Sequence, residues 1–286
     1  MQATNHNIAS HDIGKFDYIS QSWMKSKNVD SNDLSNINAI KLLTYNVWFS
    51  DEYIEERAEA LFKILNESDA DIIALQEVTY HFLQLILMQD WIRKDYFISD
   101  FKGDTFGSYG VVLLSRFSIK ELSLHQLATH MERQLLLAEF VINDQSFKVA
   151  TVHLESMKDS VDIRAEQLEA IFPLLASADN SVLMGDFNFC SSNKVESANI
   201  NDDYIDLWSE LKPNEFGATL NSEINKMLIQ NSSSKIMSRY DKILFQQKKA
   251  VWYCKDIHLI GDTAISDYQP NIFPSDHFGL LAQIEC

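Results

Sequence analysis

Two periodicities alternate from Ile40 to the C-terminus: short apolar runs of strand type, and longer stretches with apolar residues every three or four positions. Strands are expected at Ile40–Trp48, Ile72–Gln76, Gly110–Ser115, Leu135–Ile142, Phe147–His153, Ser181–Gly185, Tyr240–Phe245 and Leu280–Ile284. Val, Ile, Leu, Phe and Tyr dominate these runs, and Gly, Asn or Asp punctuate their ends. Tyr53–Glu67 places Ile54, Ala58, Leu61, Phe62 and Leu65 on one helical face, with charges opposite. Ile163–Leu175 does the same with Ala165, Leu168, Ile171 and Phe172. A strand–helix–strand opening followed by adjacent strands implies an α/β (α+β) fold, in which helices cover packed mixed sheets.

Residues 1–39 lack this texture. They are rich in Asn, Ser, Asp and His, which predicts a polar N-terminal tail, flexible or loosely docked, ahead of a catalytic domain at 40–286. Phe16-Asp17-Tyr18-Ile19 with Trp23 and Met24 offers the alternative of a short docking helix. No internal repeat is visible. With 286 residues, 46% hydrophobic and 23% charged, the chain can bury a core without disulfides. Its net charge of −17 excludes coating nucleic acid by bulk electrostatics, though not a local phosphate site. Cys190, Cys254 and Cys286 form neither a zinc motif nor a disulfide framework. Without a secretory signal or a bilayer-length apolar run, an intracellular monomer is expected, cytoplasmic by default, with the nucleus as the alternative in a eukaryote.

The candidate chemistry lies where apolar runs stop. Asn46 follows Lys41-Leu42-Leu43-Thr44-Tyr45, and Glu77 follows Ile72-Ile73-Ala74-Leu75-Gln76. His153 follows Val149-Ala150-Thr151-Val152, Asp186 and Asn188 follow Val182-Leu183-Met184-Gly185, and Asp276-His277 precedes Phe278-Gly279-Leu280-Leu281. Polar groups at the ends of rigid strands are well placed for catalysis. Each alone has a local explanation: Glu77 as a helix N-terminal acid, Asn46 as a turn former, Asp186 as an Asx-turn residue, His153 as a satisfied strand end. Random turns do not readily supply all of them in this order.

Thr44-Tyr45-Asn46-Val47-Trp48, Leu75-Gln76-Glu77-Val78, His153-Leu154-Glu155-Ser156, Gly185-Asp186-Phe187-Asn188, Arg239-Tyr240-Asp241 and Pro274-Ser275-Asp276-His277-Phe278-Gly279-Leu280 resemble the ordered motifs of the endonuclease/exonuclease/phosphatase superfamily. Within it, the first, third and last more closely resemble the tyrosyl-DNA phosphodiesterase 2 subfamily. The resemblance implies a four-layer α/β/β/α sandwich and a Mg²⁺-dependent phosphodiesterase, with Mn²⁺ as a substitute ion. Glu77 becomes the principal metal ligand, with Asn46 beside it organising metal-bound water or a phosphate oxygen. Asp276 is an accessory ligand or merely shapes the turn after Pro274. Such an ion takes hard oxygen ligands, keeps much of its water and neutralises charge on phosphoryl and leaving oxygens. Asp186 orients and deprotonates the attacking water and Asn188 holds the phosphate, the Asp-x-Asn step directing both side chains to one face of an extended segment. His277 and His153 grip the non-bridging oxygens, Asp241 fixes the His277 tautomer, and Ser156 donates a hydroxyl or caps a turn. Arg133 matches a phosphate-facing position, with a surface ion pair as the competing reading. Trp48, Phe49, Phe187 and Phe189 all lie beside the motifs as aromatics available to a substrate, with core packing expected for at least two of them; Trp48 is the one assigned to substrate binding.

The implied partner is a nucleic-acid 5′ end, DNA or RNA, carrying a tyrosyl or peptide adduct. Two departures weaken the grip on DNA: Cys190 replaces an arginine of the subfamily, and Gly217-Ala218-Thr219-Leu220-Asn221 replaces a segment that carries tryptophan. The alternatives are another superfamily substrate (abasic DNA, an RNA tail, a phosphoinositide, a sphingolipid) or a binding module that has lost catalysis.

Overall fold

The computed structural model describes residues 8–26, 32–229, 235–248 and 251–286. In the first half of the chain the strands are β1 (Ile8–Ser10), β2 (Gly14–Asp17), β3 (Ser22–Lys25), β4 (Ala39–Asn46), β5 (Ile72–Val78), β6 (Phe97–Ile98), β7 (Gly110–Ser115), β8 (Glu121–Gln126) and β9 (Gln134–Ile142). They are followed by β10 (Gln145–His153), β11 (Asn180–Asp186), β12 (Ile205–Asp206), β13 (Leu220–Asn221), β14 (Met237–Ser238), β15 (Asp241–Gln247), β16 (Tyr253–Ile260) and β17 (Gly279–Glu285). The helices are α1 (Ile54–Ser68), α2 (Tyr80–Leu87), α3 (Asp90–Asp95), α4 (Val161–Leu175), α5 (Lys194–Ser197) and α6 (Leu207–Leu211).

Of the two large sheets, one runs β16-β17-β4-β5-β7-β6-β2-β3 and the other β1-β8-β9-β10-β11-β15-β12, while β13 and β14 form a separate two-stranded sheet. Each large sheet holds one parallel pair, β4 with β5 and β10 with β11, joined by α1 and α4 respectively. Period-two alternation assigns the layers. Ile40 and Leu42 of β4, with Ile72 and Ala74 of β5, join Val149 of β10 and Val182 and Met184 of β11 in one core between the sheets. The intervening residues Leu43, Tyr45, Ile73 and Leu75 pack outward on Ala58, Leu61, Phe62 and Leu65 of α1. On the opposite side Ala150, Val152 and Leu183 meet Leu168, Ile171 and Leu175 of α4. The result is the expected four-layer sandwich. Near the strand ends that carry Asn46 and His153 the inter-sheet core turns polar: Gln76 Nε2 donates to Thr44 Oγ1 (3.0 Å) and, across the sheets, to Thr151 Oγ1 (3.1 Å). All three side chains are buried, so these bonds specify how the sheets align.

Residues 8–26 are not a loose tail, and Phe16–Met24 is not a helix. β1 extends the seven-stranded sheet by pairing with β8, and the β2–β3 hairpin closes the edge of the other sheet. A tight turn makes the hairpin: Asp17 accepts from the backbone of Ile19 and Ser20, and Gln21 adopts a φ of 53°. Phe16 is buried, with Trp23 edge-on at 5.7 Å. Residues 1–7 and 27–31 of the expected tail lie outside the described residues. The sequence pattern also passed over the strands β6, β8, β12, β13, β14 and β16 and the helices α2, α3, α5 and α6. β16 is a mostly exposed edge strand with a bulge between Cys254 and Asp256, so its alternation is faint. Among the described residues no helix is long and apolar enough to cross a membrane.

Candidate active site

Parallel strands end on the same side, so the two strand–helix–strand units deliver their last polar residues to one place. Asn46 ends β4 and Asp186 ends β11, in different sheets, yet Asn46 Nδ2 donates to Asp186 Oδ2 at 3.1 Å. The same amide nitrogen donates to Glu77 Oε1 at 3.1 Å, so one buried amide bridges two carboxylates. Its oxygen accepts from the backbone of Trp48 (3.0 Å). Glu77 lies where the pairing of β5 with β7 shifts register, and its φ of 60° turns the side chain out of the ladder.

Asp186 occupies the centre. Its Oδ2 is 3.5 Å from His153 Nε2 and 3.8 Å from His277 Nε2, and its Oδ1 accepts from the Asn188 amide at 2.8 Å. The Asx-turn and catalytic readings of Asp186 are therefore compatible. Asn188 is not extended: its φ is 55°, and the turn aims its Nδ2 at Leu154 O (2.9 Å) and Ser156 Oγ (3.3 Å). The expectation that the Asp-x-Asn step shares one face of an extended segment fails, because that Asx turn reverses the chain. Gly185 ahead of it has a φ of 144°, and a Cβ there would lie 2.0 Å from Val152 O. Gly185→Ala should destabilise the fold by on the order of 3 kcal/mol or more in denaturant titration, from backbone strain plus overpacking.

The two histidines differ in charge: His153 is neutral and His277 is protonated. Arg133 Nη1 is 3.1 Å from His153 Nδ1, and a guanidinium only donates, so Nδ1 accepts and the proton resides on Nε2, facing Asp186. Burial, reinforced by Arg133 and His277, lowers the His153 pKa to about 3 despite Asp186, and the ring stays neutral. For His277 burial works in the same direction, but Asp241, Asp186 and Asp276 outweigh it and raise the pKa well above the usual value. Asp241 Oδ2 bonds His277 Nδ1 at 2.8 Å, leaving Nε2 to face the cleft. The neutral His153 has a linkage consequence. Its contribution to stability is fully present above pH ~6.5, the unfolded value, and is lost as pH falls from there towards about 3. Unfolding midpoints measured across that window should decline less steeply in His153→Gln than in the unmodified protein.

On the other side of Asn46, carboxylates accumulate. Burial and the charge of Asp276 push the Glu77 pKa up to about 7, although the Phe49 N–H (2.9 Å to Oε2) and Asn46 oppose them. Burial likewise raises Asp276. Among the described residues no three His, Cys, Asp or Glu side chains form a ready-made metal cage. A glutamate under-neutralised by its surroundings, with a second acid nearby, instead suits a hard cation that keeps several waters.

The remaining candidates are distributed unevenly. Ser156 Oγ accepts from Arg133 Nη2 (2.8 Å) and Asn188 Nδ2, which leaves its own proton free to donate into the cleft. Arg133 is 4% exposed and packs its guanidinium 5.3 Å from the Tyr109 ring centroid, so the surface-ion-pair reading is wrong. Trp48 is partly buried, with the Arg57 guanidinium 4.6 Å from its ring centroid and the Met227–Phe273–Phe278 cluster packed against it. Its neighbour Phe49 is the half-exposed aromatic, stacked on Tyr109 with centroids 5.0 Å apart. Phe187 and Phe189 are core residues.

Against this geometry, the model of the endonuclease/exonuclease/phosphatase family matches residues 43–277. The chain belongs to that family. It is 25% identical to tyrosyl-DNA phosphodiesterase 2 of Rattus norvegicus, over 93% of this chain and 75% of that protein. It is 26% identical to the Xenopus laevis protein of the same name, over 85% of this chain and 66% of that one. Among solved structures, the D. rerio enzyme of that name complexed with single-strand DNA product shares the fold (TM-score 0.75, 22% identity, 87% of this chain and 99% of that one). So does a family protein from Bacteroides thetaiotaomicron, at TM-score 0.66 and 17% identity, covering 86% of this chain and 94% of that one.

The family motifs held further residues whose work only the structure reveals. Ser275 Oγ donates to Asn46 O (2.6 Å) and accepts from His277 N (3.1 Å), tying the two sides of the cleft. Thr219, from the segment that replaces a tryptophan-bearing one, accepts from the backbone of Tyr240 and Asp241 and so steadies the partner of His277. Glu155 binds the Thr129 hydroxyl (2.6 Å) and the His130 amide (2.9 Å), pinning the loop before Arg133. Half-buried Cys190 is 3.1 Å from Ser192 Oγ. Tyr109 had no sequence signal beyond standing just before an apolar strand.

Proposed function

We propose that the chain is a divalent-cation-dependent phosphodiesterase that hydrolyses the bond between a tyrosine side chain and a nucleic-acid 5′ phosphate. The observation that carries this reading is one buried carboxylate, Asp186, flanked by a neutral and a charged imidazole and bridged by Asn46 to the under-neutralised Glu77. Asp186 accepts a proton from the attacking water, which the Asn188 side chain helps to orient. The new P–O bond forms as the bond to the tyrosyl oxygen breaks, giving a 5′ phosphate and free tyrosine. Nε2–H of His277, as imidazolium, and Nε2–H of His153 donate to the non-bridging oxygens as their charge grows, and Ser156 adds a third donor. Glu77, with Asp276 nearby, would hold Mg²⁺ or Mn²⁺, which supplies neutralisation of charge on the phosphoryl and leaving oxygens.

The tyrosyl substrate is favoured by the relatives named above and by the local chemistry. A phenolate leaves with a pKa near ~10, so the site needs charge stabilisation more than a dedicated acid for the leaving group. The net charge of −17 fits a reaction at a single end better than a grip along a duplex. The test is a panel of 5′-tyrosyl DNA, 5′-tyrosyl RNA, abasic duplex, a phosphoinositide and sphingomyelin, each with Mg²⁺ and with EDTA. Fastest release is expected from a 5′-tyrosyl oligonucleotide; preference for any other member would replace the substrate and leave the phosphodiesterase assignment standing.

A further inference from the structure

Two arginines that the chemistry above does not use are almost fully buried, Arg57 at 1% and Arg164 at 2% exposure. Each is the fourth residue of a crossover helix, α1 or α4, and each follows the residue that ends the preceding strand, Asn46 or His153, by 11 positions. The flanking sequence recurs as Arg57-Ala58-Glu59-Ala60-Leu61 and Arg164-Ala165-Glu166-Gln167-Leu168. The two strand–helix–strand units thus correspond, a repeat too short and too diverged to stand out in the sequence.

Both guanidinium groups are spent on the loop between strand and helix. Arg57 donates to Val47 O (3.1 Å), Trp48 O (3.4 Å), Glu52 O (2.8 Å) and Ser50 O. Arg164 donates to Glu155 O (2.9 Å), Ser156 O (3.4 Å) and Met157 O (2.8 Å), and its Nε meets Glu196 at 2.6 Å. Inward-facing carbonyls need such donors, and a five-donor fork can gather several at once. The loops serve opposite sides of the cleft. The one held by Arg57 presents the Phe49 N–H to Glu77, whereas the one held by Arg164 presents the Ser156 hydroxyl beside Arg133 and Asn188.

We propose that Arg57 and Arg164 are paired positioning residues with separable duties: Arg57 sets affinity for the divalent cation through the 47–52 loop, and Arg164 sets affinity for the phosphate end through the 154–157 loop. This rests on the phosphodiesterase reading. The test is crossed. Arg57→Ala and Arg164→Ala, with Arg57→Lys and Arg164→Lys as milder versions, are titrated calorimetrically with Mn²⁺ and with a 5′-phosphorylated thymidine tetranucleotide. Steady-state kinetics and thermal unfolding accompany the titrations.

Arg57→Ala should weaken Mn²⁺ binding ~10-fold or more, the usual effect of losing support behind a metal ligand, while KM at saturating cation stays within about 3-fold. Arg164→Ala should leave Mn²⁺ binding unchanged and weaken tetranucleotide binding ~10-fold, with a matching loss in kcat/KM. Each Lys variant should recover part of its own defect, because an ammonium can still donate to up to three carbonyls. If an Ala variant does not fold, its Lys counterpart is read for the same crossed pattern at smaller size. Folded variants that bind both probes normally, or that lose both alike, would overturn the division of duties. No Mg²⁺-dependent turnover in the unmodified protein would instead remove the functional reading, which the two binding titrations do not require.

Discussion

Glu77→Gln is expected to abolish cation-stimulated turnover, by ~10³-fold or more, while making the cation-free protein more stable. The first effect follows from removing a carboxylate for which burial and Asp276 outweigh the opposing charge of His277, so that it is free to neutralise a bound cation; loss of several kcal/mol of charge stabilisation corresponds to a factor of that size. The second follows from linkage. Glu77 titrates near 4.5 when unfolded and near 7 when folded, so between those values the native state keeps a proton that the unfolded chain has released. Stability therefore falls as pH rises through that window, and the deficit is complete above about 7. Glutamine cannot ionise and escapes it, and its single amide oxygen can stand in for Oε2 and accept from Phe49, while the bond from Asn46 to Oε1 is lost. Thermal unfolding at pH ~8 should show a higher Tm for the variant without cation. Added Mg²⁺ should raise the Tm of the unmodified protein only. Lower stability of the variant, or undiminished turnover, would contradict the role.

Asp186→Asn should lower kcat by ~10²–10⁴-fold, the range for loss of a general base, with little change in fold. The substitution is isosteric: an asparagine Oδ1 still accepts from the Asn188 amide, so the turn survives. What disappears is the Oδ2 acceptor of the Asn46 amide, together with the negative charge facing both imidazoles that helps keep His277 protonated. The pH–rate profile should therefore change as well as the rate, and the circular dichroism spectrum should not. Loss of that folded signal would assign Asp186 a structural role.

Much of this site was legible because strand ends advertise themselves. An apolar run that stops at Asn46, Glu77, His153 or Asp186 fixes both the residue and its place at the edge of a sheet. Local pattern could not show what depends on tertiary closure. Arg133 reads as a surface residue beside Glu132 and is buried only because His153 and Ser156 come to it from elsewhere in the chain. Nor does it show that α1 brings Arg57 beside the Trp48 ring. The hairpin at 14–25 is too short to show a period, and its place at the edge of a sheet depends on Ile98, far along the chain. The left-handed turn at Asn188 is set by a hydrogen bond from its own backbone to Asp186, a contact that the spacing of the two residues does not disclose.

The most direct test is crystallographic: a crystal soaked with Mn²⁺ and a 5′-phosphorylated oligonucleotide, with anomalous scattering used to locate the ion. The expected map has an ion at the Glu77 carboxylate and the terminal phosphate between it and the Nε2 atoms of His153 and His277, within reach of Asn188. An ion bound away from Glu77, or a phosphate outside the cleft that Asn46 bridges, would contradict the assignment.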